Sequence, residues 1–87
     1  MIVWVLSVSY GFIHGIYSSK EKALAAALQY AEEDICDEKL FEEIKEGLNK
    51  SYNKGGDYFC SEGYDSYIEA ECWPVDAEYE VNKNETN

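Results

Sequence analysis

Apolar residues occupy the even positions Ile2, Trp4, Leu6, Val8 and Tyr10, while the odd positions change from Val3 and Val5 to Ser7 and Ser9. A period of two is the signature of a strand, and this change predicts burial on both faces at the start and on one face later. Gly11 is a turn residue, and Phe12 to Tyr17 has the aromatic and β-branched content of a second strand. So short a connection predicts an antiparallel hairpin. Gly15 inside the second strand predicts a bulge, or a place where another group approaches the backbone closely.

The period then changes. Ser18 to Glu21, S-S-K-E, reads as a capping box in which the Ser18 hydroxyl accepts from the Glu21 N–H and the Glu21 carboxylate reaches back. Leu24, Ala27, Leu28, Ala31 and Ile35 then recur at spacings of three and four, the stripe of a helix ending near Asp34. Asp37 caps a second helix from Glu38 to near Asn49, with Leu40, Phe41, Ile44 and Leu48 inward. Gly47 weakens that helix by about 1 kcal/mol relative to alanine and predicts fraying after Glu46. Asn49 to Asp57, NKSYNKGGD, has the composition of a surface loop.

Tyr58 to Cys60 is short and apolar, Ser61 to Asp65 reads as a turn, and Tyr67 to Trp73 alternates again. Ile68, Ala70 and Cys72 are expected to face the core, with Glu69 and Glu71 facing water. Beyond Pro74 the parity reverses, with Val75, Ala77, Tyr79 and Val81 now apolar, which predicts a bend or bulge at Trp73 and Pro74. The expected architecture is α+β: residues 1–81 form one domain, a small antiparallel sheet of N-terminal hairpin and C-terminal strands packed against two helices. Residues 82–87 read as a disordered tail.

Composition bears on partners more than on fold. The chain of 87 residues is 46% hydrophobic, too apolar for a disordered segment although its net charge is minus 11. That charge repels phosphate backbones and anionic headgroups, so direct binding to nucleic acid or membrane is not expected. A basic protein is the natural complement, whereas solubility alone is the simpler use of the charge. Cys36, Cys60 and Cys72 are odd in number and widely spaced, which predicts reduced thiols in a cytoplasm rather than disulfides or a zinc site. Met1 to Phe12 lacks the basic start of a signal peptide, and no stretch approaches the ~20 apolar residues of a membrane helix.

Nothing in the chain carries a catalytic signature. His14 is the only histidine and has no nucleophile motif around it. Adjacent carboxylates such as Glu32 with Glu33, or Glu42 with Glu43, point in different directions on a helix. No EF-hand spacing occurs, and the Gly55–Gly56 pair does not join a strand to a helix as a phosphate cradle would. The expectation is a protein that is not an enzyme and uses no metal or cofactor.

Two arrays stand out as candidate contact groups. Glu38, Glu42 and Glu46 are four apart, along one helix face at about 6 Å per step. Glu69 and Glu71 are two apart on a strand, about 6.7 Å, and Asp76, Glu78 and Glu80 repeat that interval if extended. Carboxylates so spaced can imitate a phosphate row and enter the basic groove of a nucleic-acid-binding protein. Solvated helices and strands produce the same intervals. The second array is aromatic: Tyr58, Tyr64, Tyr67 and Trp73 gather in the last third of the chain, where they suit either a partner interface, including a homodimer, or the rim of a small core.

The strand V-W-V-L at Val3 to Leu6, the helix start G-I-Y-S-S-K-E-K-A at Gly15 to Ala23, and the strand Y-I-E-A-E-C-W-P-V-D at Tyr67 to Asp76 together resemble small uncharacterised proteins common in phage genomes. The likeness spans Val3 to Ala31 and Tyr67 to Asp76. It departs in the very short hairpin turn and in the inserted segment Asp37 to Tyr64. The resemblance implies a phage or mobile-element origin and, with it, interference with host proteins. The functional expectation is a small acidic accessory protein in the host cytoplasm, an inhibitor of anti-CRISPR or anti-restriction type with a DNA-mimicking surface. The alternative is a non-catalytic binding module, either a homo-oligomer with an aromatic interface or a pocket that sequesters a nucleotide-like ligand.

Overall fold

Two hairpins build the sheet, and the two helices between them form its cover. The computed structural model describes residues 2–9, 11–63 and 66–74. In chain order the elements are β1 (Ile2–Val8), β2 (Phe12–Tyr17), α1 (Lys20–Asp34), α2 (Glu38–Asn53), β3 (Tyr58–Gly63) and β4 (Ser66–Pro74). The sheet order is β2-β1-β4-β3 with every pair antiparallel, so the expected α+β architecture is the one observed. β4 lies beside β1 from Ile2↔Pro74 to Val8↔Ile68 and joins the two hairpins into one sheet.

Parity decides what goes inside. Trp4, Leu6 and Val8 of β1, Phe59 of β3, and Ile68 and Ala70 of β4 point to the helix layer and are buried. Trp4 and Phe59 stack with centroids 6.0 Å apart, and Tyr52 of α2 meets Phe59 edge-on at 5.7 Å. On β2, His14 is an extra residue where the register shifts, and its ring packs against Tyr30 of α1 at 5.0 Å. The next residue, Gly15, lies beneath the Tyr17 ring, which fills the space a Cβ would need. Both readings of Gly15, bulge and close approach, therefore apply at once.

Several details differ from the sequence reading. The first concerns the cap of α1, which is Ser19: its hydroxyl accepts from the Lys22 N–H at 3.1 Å, while Ser18 Oγ accepts from Lys22 Nζ. Lys22 then occupies the third helical position, so no reciprocal carboxylate closes a box. The inner stripe is Ala23, Ala27 and Ala31, all fully buried, with Leu24 and Leu28 flanking it. Alanines bring the helix axis close to a sheet face that must also hold α2.

The second difference is that α2 runs through Gly47 to Asn53 instead of fraying. A side chain at Gly47 would collide with that of Ser61 on β3, so the glycine marks a close approach of helix and strand. Packing over the following turn offsets its weak propensity, because Leu48 is fully buried and Ser51 Oγ accepts from the Cys60 N–H at 3.1 Å. The expected loop shrinks accordingly to the residues between Asn53 and Tyr58. Third, β3 continues through Ser61 and Glu62 to Gly63, where a turn was expected. Fourth, no described element covers the far side of β1, so Val3 and Val5 are half-buried rather than enclosed. The bend or bulge expected at Trp73 and Pro74 is not found either, since β4 keeps its register with β1 through Val3↔Trp73 and Ile2↔Pro74, while the parity reversal after Pro74 and the expected tail lie outside the described residues.

Candidate interaction surface

The uncovered face of the sheet is ordered in rows by the strand register. One row runs Ile16, Val5, Glu71, Tyr58 across β2, β1, β4 and β3; the next runs Ile13, Ser7, Glu69, Cys60. Val3 and Trp73 make a third, shorter row, and Glu62 opposes Tyr67. The face is therefore divided along the strands, apolar over β1 and β2 and acidic and aromatic over β3 and β4. Neighbouring strands are about 4.8 Å apart, so the Glu69–Glu71 column sits about 10 Å from the isoleucine column.

Hydrogen bonds hold the acidic half in place. Tyr67 Oη donates to Glu69 Oε2 at 3.0 Å, and the Tyr58 hydroxyl lies 3.1 Å from that of Tyr67. With the Tyr67 proton committed to Glu69, Tyr58 is the donor in the pair. The phenols hold their protons more tightly than usual. Tyr58 is raised above its ordinary value by its hydrogen bond with Cys60 and then by Tyr67. At Tyr67 the Tyr58 hydrogen bond acts to lower the pKa, but burial and Glu69 outweigh it and the net shift is upward.

Charge is distributed unevenly along the chain. Residues 1–19 contain no Asp, Glu, Lys or Arg. Residues 20–54 contain nine carboxylates and six lysines, a net of minus 3, whereas residues 55–87 contain nine carboxylates and one lysine, a net of minus 8. No lysine lies on β1, β2, β3 or β4. On α2 the situation is different, because Lys39, Lys45 and Lys50 share the helix with Glu38, Glu42, Glu43 and Glu46. Of two shallow clefts on α2, one is lined by Lys39, Glu42, Glu43, Lys45, Glu46 and Asn49 and the other by Asp37, Lys39, Leu40 and Glu43.

The two predicted acidic arrays are therefore not brought together. Glu38, Glu42 and Glu46 are exposed on the outside of the helix layer, and Glu69 and Glu71 lie on the opposite side of the molecule. Tyr58, Tyr67 and Trp73 do join Glu69 and Glu71, with Tyr58 and Trp73 43% and 54% exposed. Tyr64, Asp76 and Glu78 lie outside the described residues. Periodicity missed Ile13 and Ile16, which are 67% and 62% exposed on the same face. The uncharged first 19 residues were the signal that could have marked them.

Among the described residues no group of three His, Cys, Asp or Glu side chains is placed to hold a metal ion, and no helix is long and apolar enough to cross a membrane. The three cysteines are free thiols. The fold and this surface define a class: a two-layer α+β protein whose antiparallel sheet carries helices on one side and a divided apolar and acidic face on the other. No family model, curated protein or solved structure matches the chain.

Proposed function

We propose that the chain is a small interaction protein that inhibits a basic, nucleic-acid-binding host protein of the defence type, and that the β3–β4 half of the open sheet face is its contact surface. One observation carries this reading: Glu69 and Glu71, backed by Tyr58, Tyr67 and Trp73, form an acidic and aromatic strip with no lysine on its strands. A basic protein surface complements the strip in charge, and long-range attraction from a chain of minus 11 accelerates the encounter. Tyrosine and tryptophan beside carboxylates supply contact area at low entropic cost. The resemblance to small phage proteins supplies the context of host defence. The glutamates of α2 have a lesser part in this reading, because interleaved lysines cancel most of their field.

The test is capture of host proteins on immobilised chain at low and moderate salt, followed by affinity measurements on the basic protein retained. E69Q/E71Q weakens that complex by about tenfold or more and flattens its salt dependence, whereas E38Q/E42Q/E46Q changes it by less than about threefold. Equal affinity for E69Q/E71Q and the unmodified chain would overturn the assignment of the surface. Retention of no basic protein at either salt would overturn the function.

A further inference from the structure

The two edges of the sheet are treated differently. At β3 the outward Cys60 N–H is satisfied by Ser51 Oγ of α2, which closes part of that edge. At β2 no neighbour is present among the described residues. The strand, F-I-H-G-I-Y, has none of the lysines, carboxylates or prolines that usually block an exposed edge, and Phe12, Ile13 and Ile16 are more than 60% exposed. It does carry the bulge at His14, which adds local twist without adding charge.

We infer that β2 is a self-association edge, at which two copies of the chain pair β2 with β2 antiparallel about a two-fold axis normal to the sheet. The order across the dimer is then β3-β4-β1-β2-β2-β1-β4-β3, with both open faces on the same side. A register that opposes Ile13 of one copy to Ile16 of the other gathers four isoleucines at the centre.

Charge identifies the occupant as a second copy. A contact between two chains of minus 11 each must avoid the acidic surface, and residues 1–19, which include all of β1 and β2, carry no formal charge. Across the paired edge the two β4 strands are five strand spacings apart, about 24 Å, and this is about three screening lengths at physiological salt. Repulsion between the Glu69–Glu71 columns therefore does not oppose assembly. A basic partner finds no carboxylate on β2 to recognise, so the edge is chemically distinct from the strip that serves the proposed inhibition. A pairing between six-residue edges is at the small end of specific interfaces, and a dimer populated at tens to hundreds of micromolar is expected.

Sedimentation velocity tests the inference over about 10 to 300 µM, at about 0.15 and 0.5 M salt, with the unmodified chain, I13E/I16E and E69Q/E71Q. The unmodified chain and E69Q/E71Q approach twice the monomer mass as concentration rises, and higher salt leaves this dimer unchanged or tightens it. I13E/I16E stays monomeric, and because both side chains are exposed its far-ultraviolet circular dichroism matches that of the unmodified chain. A monomer throughout the range for the unmodified chain overturns the inference and leaves the edge to a strand of another protein. A dimer that persists in I13E/I16E overturns it equally. E69Q/E71Q separates this failure from failure of the proposed inhibition, since it removes the acidic strip and leaves β2 intact.

Discussion

Gly47 illustrates how one residue can carry opposite meanings in a sequence and in a fold. In an isolated helix its replacement by alanine would be stabilising by about 1 kcal/mol. In this protein the added methyl meets the side chain of buried Ser61, and overpacking of that kind costs about 1–3 kcal/mol. Gly47→Ala is expected to be destabilising by about 1 kcal/mol in urea unfolding, and the loss shrinks when Ser61→Ala is combined with it. Three tyrosines give a second residue-level outcome. Burial, with Asp34 and against a Ser9 hydrogen bond, raises Tyr30, and Tyr58 and Tyr67 are raised by the contacts described above. The folded chain therefore keeps protons that the unfolded chain releases near pH 10, so their contribution is complete below about pH 10 and is lost as pH rises beyond it. Ultraviolet titration of tyrosinate should show a late-ionising fraction, and Tyr58→Phe should reduce both that fraction and the alkaline loss of stability.

At the scale of elements, the cover layer is held together where α1 begins and α2 ends. Lys20 Nζ donates to the Tyr52 carbonyl at 3.3 Å and lies 4.8 Å from the Tyr52 ring and 5.7 Å from that of Trp4. A cation at the last turn of α2 meets the negative end of the helix dipole as well as two aromatic faces. Lys20→Met keeps the stem and removes the charge; it should cost about 1 kcal/mol in thermal or chemical unfolding. Lys22→Met, whose ammonium is exposed beside Ser18, should change stability by less than about 0.5 kcal/mol. Equal effects of the two substitutions would remove the Lys20 tie from the account. The alanine stripe of α1 belongs to this scale too. Sequence periodicity located the helix and placed Ala27, Ala31 and Ile35 inward correctly, but it centred the inner face on the larger Leu24 and Leu28, whereas in the fold Ala23 is buried and the two leucines flank the stripe.

At the scale of the whole molecule, charge and apolar surface are sorted into separate territories. The uncharged hairpin of β1 and β2 forms one end of the sheet, and the strip on β3 and β4 forms the other. Higher salt should therefore weaken the acidic contact while leaving the β2 pairing unchanged or tighter, which lets a single series of ionic strengths report on both. Legibility followed the same division. β1, β2 and β4, the presence of both helices and the outward direction of Glu69 and Glu71 could be read from the periods and types of residues, whereas β3 beyond Cys60 could not. The continuity of α2 beyond Gly47 could not, because it depends on the burial of Leu48 and on the bond from the Cys60 N–H to Ser51 Oγ, which joins the helix to a strand nine residues further on.

The sequence by itself determined the local periods, the Asp37 cap, the antiparallel hairpin and the acidic character of the late strands, because each is set by residues a few positions apart. Tertiary structure decided that Glu38, Glu42 and Glu46 lie across the molecule from Glu69 and Glu71, that Val3 and Val5 gain no cover from the described chain, and that β2 is an edge of the described sheet. A period fixes where a side chain points relative to the axis of its own element. Which elements become neighbours, and which faces they cover, depends on the packing of the whole chain.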